Sequence, residues 1–176
     1  MPVNSNASRI RSGEIFMPCL LGRLTDQNPE QKTENFTRGI SLKQLKQNIL
    51  WNIELILNSR SHPSSEVWGN DPAVTDSVLG MGLPDFCGSS HSAAAREKLR
   101  EEIIHQLSVF EPRLEKETLE VNYVNGNDEK SNHSVLELEI SAWISVEPLR
   151  EELVFRSRLD LESGTATINS ADEHYL

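Results

Sequence analysis

Cysteine is scarce. The 176-residue chain carries two, Cys19 and Cys87, far apart and outside any CxxC spacing. Both read as reduced thiols, either small buried apolar groups or incidental surface ones. Positive charge is also short. Seventeen Lys and Arg face 27 Asp and Glu, for a net charge of -10. That balance argues against binding a phosphate backbone and leaves solubility, with steering toward basic partners. No apolar run approaches the roughly 20 residues of a membrane helix. The Ile15–Leu21 patch is too short for a signal sequence and carries Pro18. The chain is therefore expected in the cytoplasm, where the sequons at Asn6, Asn35 and Asn132 are chance matches. Phosphate-cradle motifs, HExxH, GxSxG and a Cys/His dyad are all missing. So are internal repeats and low-complexity tracts.

The length favours one domain and suffices for a core without disulfides or metal. Polar Met1–Glu14 reads as a flexible tail, residues 15–170 as a single domain, and residues 171–176 as a second tail. Pro18–Leu24 reads as a short amphipathic anchor, with Pro18 at a first helical position. Ser41 opens a long helix with Gln44 at capping-box spacing. Leu42, Leu45, Ile49, Ile53 and Ile56 recur on one sector, widened by Leu50 and Leu57. Trp51 and Leu55 lie nearly opposite, within a border of amides. Two readings stand for that pair: a second contact surface, or a patch covered by another part of this chain.

Arg60–Ala73 reads as a loop, Val74–Leu79 as a short strand, and Gly80–Asp85 as a turn in which glycine permits positive φ. A second helix is expected from Ser90–Ser92 to Phe110. Its core stripe is Leu99, Ile103, Leu107 and Phe110, with a Lys98–Glu102 pair outside. His105 falls off the stripe and has no metal-spaced partner. After Phe110 the period changes to two. Leu119, Val121 and Tyr123 alternate, then Leu136 through Val146 on even positions, then Leu153 through Leu161 on odd ones. Thr165–Ile168 makes a last short strand. Even positions paired with odd about a Glu147–Glu152 connection would set Trp143 beside Arg156, in a cation–π contact, and Ser141 beside Arg158. Glu137, Glu139 and Glu147 would then oppose Arg156 and Arg158 on the outer face.

The two regimes meet at Glu111-Pro112-Arg113. Pro112 disfavours helical geometry at Glu111 and stops the helix. Arg113 complements the negative helix end, but Glu111 there is unfavourable unless something cationic or N–H-rich compensates it. Arg156, Arg158 or Arg113 itself could serve. Glu54 and Glu111 are the least unreasonable acid and base candidates, but a solvated or ion-paired role outweighs catalysis for both. The residues alone favour an interaction module.

Five stretches together resemble the baseplate-wedge family of contractile phage tails and type VI secretion systems. They are Leu20–Asp26, Leu45–Arg60, Val78–Phe86, Phe110–Leu114 and Leu159–Gly164. The secretion-system branch, the TssE subunits, fits best. The resemblance spans residues 19 to 168, and Glu-Pro-Arg is the family hallmark. It implies an α+β fold with two long helices packed on a small, mainly antiparallel sheet formed largely by the C-terminal half. It implies a non-enzymatic subunit that binds other wedge subunits and helps start contractile sheath assembly. Glu111, Pro112 and Arg113 would contact partners, as would Trp51 and Leu55 from the residue pattern. No cofactor, metal, nucleic acid or direct membrane insertion is expected. Two other functions stand beside this one. A peptidoglycan hydrolase is suggested by the family's lysozyme-like label, and an anti-adaptor-like regulatory module by likeness of fold.

Overall fold

A computed structural model of the chain describes residues 16–17, 19–20, 24, 29–30, 39–61, 71–87, 92–124, 135–147 and 149–170. Its contacts group into two units, Met1–Asn48 and Ile49–Leu176. In the first, Phe16 and Ile40 exchange both backbone hydrogen bonds, at 2.9 and 2.7 Å. The Ser41 N–H donates to Gln44 Oε1 at 2.9 Å, and the Gln44 N–H donates to Ser41 Oγ at 3.3 Å. That reciprocal pair is the expected capping box, and it satisfies donors that a bare helix start would leave open. Leu20 and Leu24 of the expected anchor are exposed. Most of its other residues lie outside the described ones, as do both tails.

Helix α1 runs Leu42–Asn58. In the second unit its residues Ile49, Ile53, Ile56 and Leu57 are buried. Trp51 and Leu55 are 50% and 44% exposed, on the other side as the period requires. The segment after it corrects an expectation. Val74–Leu79 is not a strand but a four-residue helix α2, Pro72–Thr75, followed by a 3-10 turn, Val78–Gly80. Asp71 Oδ1 accepts from the Ala73 N–H at 2.9 Å, and Pro72 stands in the first turn. Both are helix-start chemistry, and they outweigh β-branched Val74 and Thr75.

Helix α3, Ala93–Phe110, is capped by Ser92, whose Oγ accepts from the Ala95 N–H at 3.2 Å. Leu99, Ile103 and Leu107 are buried as expected, and Phe110 is half-buried. The outside pairing differs from expectation. Arg100 pairs with Glu97, while Glu102 accepts from Gln106 at 3.1 Å in place of Lys98. His105 is exposed, with Nε2 3.2 Å from Asp76 Oδ1.

Strands β1 Glu120–Tyr123, β2 Val135–Val146, β3 Leu149–Asp160 and β4 Ala166–Ser170 form one antiparallel sheet in sequence order. The fold is α+β. Leu138, Ile140, Ala142 and Ile144 face inward from β2, and Leu153, Phe155, Ser157 and Leu159 from β3. That is the face assignment the alternation predicts. The register is not. Val146 opposes Leu149, so Trp143 opposes Glu152 and Ser141 opposes Val154. The connection is two residues, tighter than the Glu147–Glu152 span expected, and each partner moves four residues toward the turn. The cation over Trp143 is accordingly Arg150, at 4.9 Å, and not Arg156. Cross-strand charge matching holds in the new register, with Glu137 opposite Arg158 and Glu139 opposite Arg156. β4 covers β3 only from Phe155 to Leu159. Leu149–Val154 has no partner strand on that side among the described residues. No described helix is long and apolar enough to cross a membrane.

Candidate partner-binding site

Pro112 ends α3, and Glu111 leaves helical geometry at φ -121°, ψ 77°. Its N–H still donates to the Leu107 carbonyl at 3.0 Å, and its own carbonyl accepts from the Leu114 N–H at 3.1 Å. This turn aims the Glu111 side chain inward, where it is fully buried. Arg113 Nε donates to Oε1 at 2.6 Å, and Arg113 Nη2 donates to Oε2 at 2.5 Å. Asn52 Nδ2, from α1, donates to Oε2 at 3.1 Å. The partner that the glutamate requires is thus its own arginine, two residues on, seconded by an amide on the other long helix. Arg156 and Arg158 are not involved; Arg156 pairs with Glu139 at 3.3 Å on the outer face. A bidentate guanidinium–carboxylate pair is among the stronger polar contacts, and burial makes it costly to break. Both carboxylate oxygens are occupied and out of solvent, so Glu111 offers no oxygen to a substrate.

The same tripeptide is tied to the sheet. The Arg113 carbonyl accepts from the Ser145 N–H at 2.8 Å, and the Glu115 N–H donates to the Trp143 carbonyl at 2.8 Å. Leu114, buried between them, bridges to Ile144. Arg113–Glu115 therefore continues along β2 the edge that β1 covers further on. Pro112 is exposed, and the Arg113 side chain keeps 19% of its surface. Beside this element, Arg150 donates to both Glu115 oxygens at 2.9 Å while lying over Trp143. That guanidinium holds the Glu115 carboxyl below its usual range.

The C-terminal end of α1 holds the remaining family-like stretches. Arg60 Nη1 donates to the Leu57 and Ser59 carbonyls at 3.3 and 3.2 Å, Nη2 donates to the Gly164 carbonyl, and the guanidinium lies 4.7 Å from the Phe86 ring centre. The Leu83 N–H donates to the Ser59 carbonyl at 3.0 Å. Gly82 takes φ +114°, and a Cβ there would stand 2.6 Å from the Ser59 carbonyl carbon and oxygen, so only glycine fits. Asn58 Nδ2 donates to the Ala166 carbonyl at 2.8 Å and its Oδ1 accepts from the Ala166 N–H at 2.9 Å, pinning α1 to the edge strand β4. Asp160 caps the following turn by accepting from the Glu162 and Ser163 N–H groups, which lowers its pKa.

Of the expected contact residues, Glu111, Pro112 and Arg113 form one built element, of which Glu111 is interior. Trp51 and Leu55 are exposed on α1. At about 100° per residue, Asn52 lies on the flank next to Leu55. Asn52, Asn58, Arg60 and Gln106 were not singled out from the sequence. A partial signal existed for Asn58 alone, which belongs to the amide border around Trp51.

The family-like stretches of this small α+β chain lock helices onto a sheet. In the comparison with protein families, the model of baseplate wedge protein gp25 matches residues 43–149, more than half of the chain. The chain belongs to that family. The matched span takes in Asn52, Arg60, the Gly80–Phe86 turn and Glu111-Pro112-Arg113. No curated protein and no solved structure matches the chain.

Proposed function

We propose that the chain is the TssE-type subunit of a type VI secretion baseplate, a cytoplasmic structural part that binds other wedge subunits and helps initiate the contractile sheath. Family membership gives it a structural role in a phage-tail-like baseplate. The observation that supports the finer reading is the Glu111–Arg113–Asn52 clamp, with its tie to β2. A carboxylate spent inside such a clamp serves architecture, not general acid catalysis, and the protein has no enzymatic task. The clamp holds Pro112 and the outer surface of Arg113 in a fixed position, ready for a wedge partner. Trp51 and Leu55, on the flank next to Asn52, widen that surface with apolar area of the kind that anchors interfaces. The Leu149–Val154 edge, with half-exposed Val154, suits an added strand from the sheath.

Arg113→Ala is a poor test, because it strands a buried carboxylate and its effect mixes folding with binding. Trp51→Ala with Leu55→Ala is cleaner, since neither side chain is in the core. We expect the thermal midpoint to hold while capture of purified wedge subunits of the same baseplate falls, by a factor of about 30 for a hot-spot loss near 2 kcal/mol. Undiminished capture by the double variant would remove this surface from the interface. Turnover of cell-wall substrate by the pure protein would revive the hydrolase instead; the expected rate is zero. Sheath and baseplate genes beside this one would separate the baseplate reading from the hydrolase and the regulatory module.

A further inference from the structure

We propose that Val78 and Leu79 form a rigid apolar knob that seats in an apolar socket with a basic rim on a wedge subunit. This surface is distinct from the clamp and from Trp51 and Leu55, and the proposal rests on the baseplate reading above. The two side chains are 82% and 67% exposed at the tip of the 3-10 turn. Single exposed apolar residues are ordinary. This pair is set apart by how it is mounted.

The mount is built from three layers. Locally, Ser77 Oγ accepts from the Leu79 N–H at 3.3 Å and donates to the Val74 carbonyl at 2.7 Å, while the Gly80 N–H donates to the Ser77 carbonyl at 2.9 Å. Beneath the tip, Gly80 is buried so close to Thr75 that a Cβ would stand 2.0 Å from the Thr75 carbonyl oxygen. Behind it, Gln106 of α3 is 2% exposed and spends both ends of its amide on this turn. Its Nε2 donates to the Gly80 carbonyl at 3.0 Å, and its Oε1 accepts from the Gly82 N–H at 2.8 Å. A buried amide costs stability unless both ends are bonded, and here both bonds fix the backbone that carries Val78 and Leu79. Fixing those two side chains in water gains this chain nothing. It does lower the ordering cost of binding a partner.

Charge selects the partner. Residues 71–87 carry Asp71, Asp76 and Asp85 and no Lys or Arg. Asp71 and Asp76, both exposed, lead into the knob, and Asp76 Oδ1 accepts from Thr75 Oγ1 at 3.2 Å and stands 3.2 Å from His105 Nε2. A socket rimmed by Lys or Arg complements this setting. A second copy of the chain would bring like charges together, and an anionic membrane would be repelled.

The experiment uses the full chain and purified wedge subunits of the same baseplate. Val78→Ser with Leu79→Ser should leave the thermal midpoint in place and weaken capture about tenfold or more. Asp71→Asn with Asp76→Asn, which keeps the helix cap, should slow association and flatten its salt dependence with little change in dissociation. Wild-type capture matched by the serine variant would overturn the knob and leave the baseplate reading standing. Absence of wild-type capture of any wedge subunit would overturn that reading itself. An unchanged salt dependence in the asparagine variant would overturn the basic rim. Self-association abolished by the serine variant, with capture intact, would make a second copy the occupant.

Discussion

Two Arg–Glu pairs on this molecule are chemically alike and physically opposite. Glu111 and Arg113 meet with the carboxylate fully buried and the guanidinium 19% exposed. Glu139 and Arg156 meet across β2 and β3 with 44% and 61% of their side chains in water. Water screens the second pair and offers each partner an alternative, so its net contribution is small. Interior placement denies Glu111 any alternative, so loss of its partner is severe although the intact pair itself is no great stabiliser. The same motif chemistry therefore marks a structural lock in one place and surface decoration in the other.

The sharpest break of this comparison is Arg113→Ala. It should cost about 3 kcal/mol or more, read as a drop in denaturation midpoint, because Glu111 keeps only the Asn52 amide. Pairing it with Glu111→Gln should recover part of the loss, since a neutral amide is cheaper to bury than a lone carboxylate. If Arg113→Ala alone unfolds no more easily than Arg156→Ala, the two pairs are equivalent and the lock is wrong. Next in size is Gly82→Ala. Positive φ alone costs roughly 1–2 kcal/mol in a residue with a Cβ, and the approach to the Ser59 backbone adds to it. A loss of at least about 2 kcal/mol is expected in chemical denaturation.

How much of this was legible in the sequence follows from the range of the forces involved. The apolar stripes of α1 and α3 are local periodicities, and the buried residues follow them closely. Alternation in β2 and β3 carries parity, and parity fixes faces. It does not fix register: sliding one strand by four residues keeps every side chain on its face. That is why the inward set was right while Trp143 met Glu152 in place of Arg156. Only the turn length decides between such registers, and Glu147-Pro148 reads equally well as a two-residue turn or the start of a longer one. The Asp71-Pro72 start of α2 is a local helix signal, which the strand reading of Val74–Leu79 leaves unused. The clamps were not readable. Asn52 and Glu111 are 59 positions apart, Arg60 and Gly164 104. No local pattern shows which polar side chain will be interior, so buried Gln106 looked like any other helix surface residue. The Glu-Pro-Arg stretch could be flagged as needing a partner because a carboxylate at a helix C-terminus is a local conflict. Its resolution needed the fold.

Ser157 tests the interior side of the comparison with the sign reversed. It is 1% exposed, and its Oγ has no hydrogen-bond partner among the described residues. An unsatisfied buried hydroxyl opposes folding, where the satisfied carboxylate of Glu111 does not. Ser157→Ala removes the hydroxyl and leaves almost no void. It should stabilise by about 1 kcal/mol. A destabilised alanine variant would mean the hydroxyl is satisfied after all.

The smallest effect belongs to the exposed pair, and it fixes the lower end of the scale. Arg156 Nε and Nη2 reach a single Glu139 oxygen, both at 3.3 Å, so the geometry is not the two-oxygen fork of Arg113. Exposed pairs of this kind couple by about 0.2–1 kcal/mol, and one-oxygen geometry places this one at the low end. A double-mutant cycle with Glu139→Gln and Arg156→Gln should give about 0.3 kcal/mol at low salt. Because both partners stand within reach of mobile ions, raising the salt to about 1 M, where the screening length is about 3 Å, should erase the coupling. The Glu111–Arg113 coupling, screened from ions by the core around Glu111, should survive the same salt. Acid reinforces the ranking from another side. Arg150 lowers the Glu115 carboxyl below its ordinary 4.5. The stability that pair contributes is therefore present above pH 4.5 and is lost as pH falls through the lowered value. A coupling at Glu139–Arg156 that exceeded 1 kcal/mol, or that persisted in high salt, would mean the outer face is covered in solution, and the division between lock and decoration would fall with it.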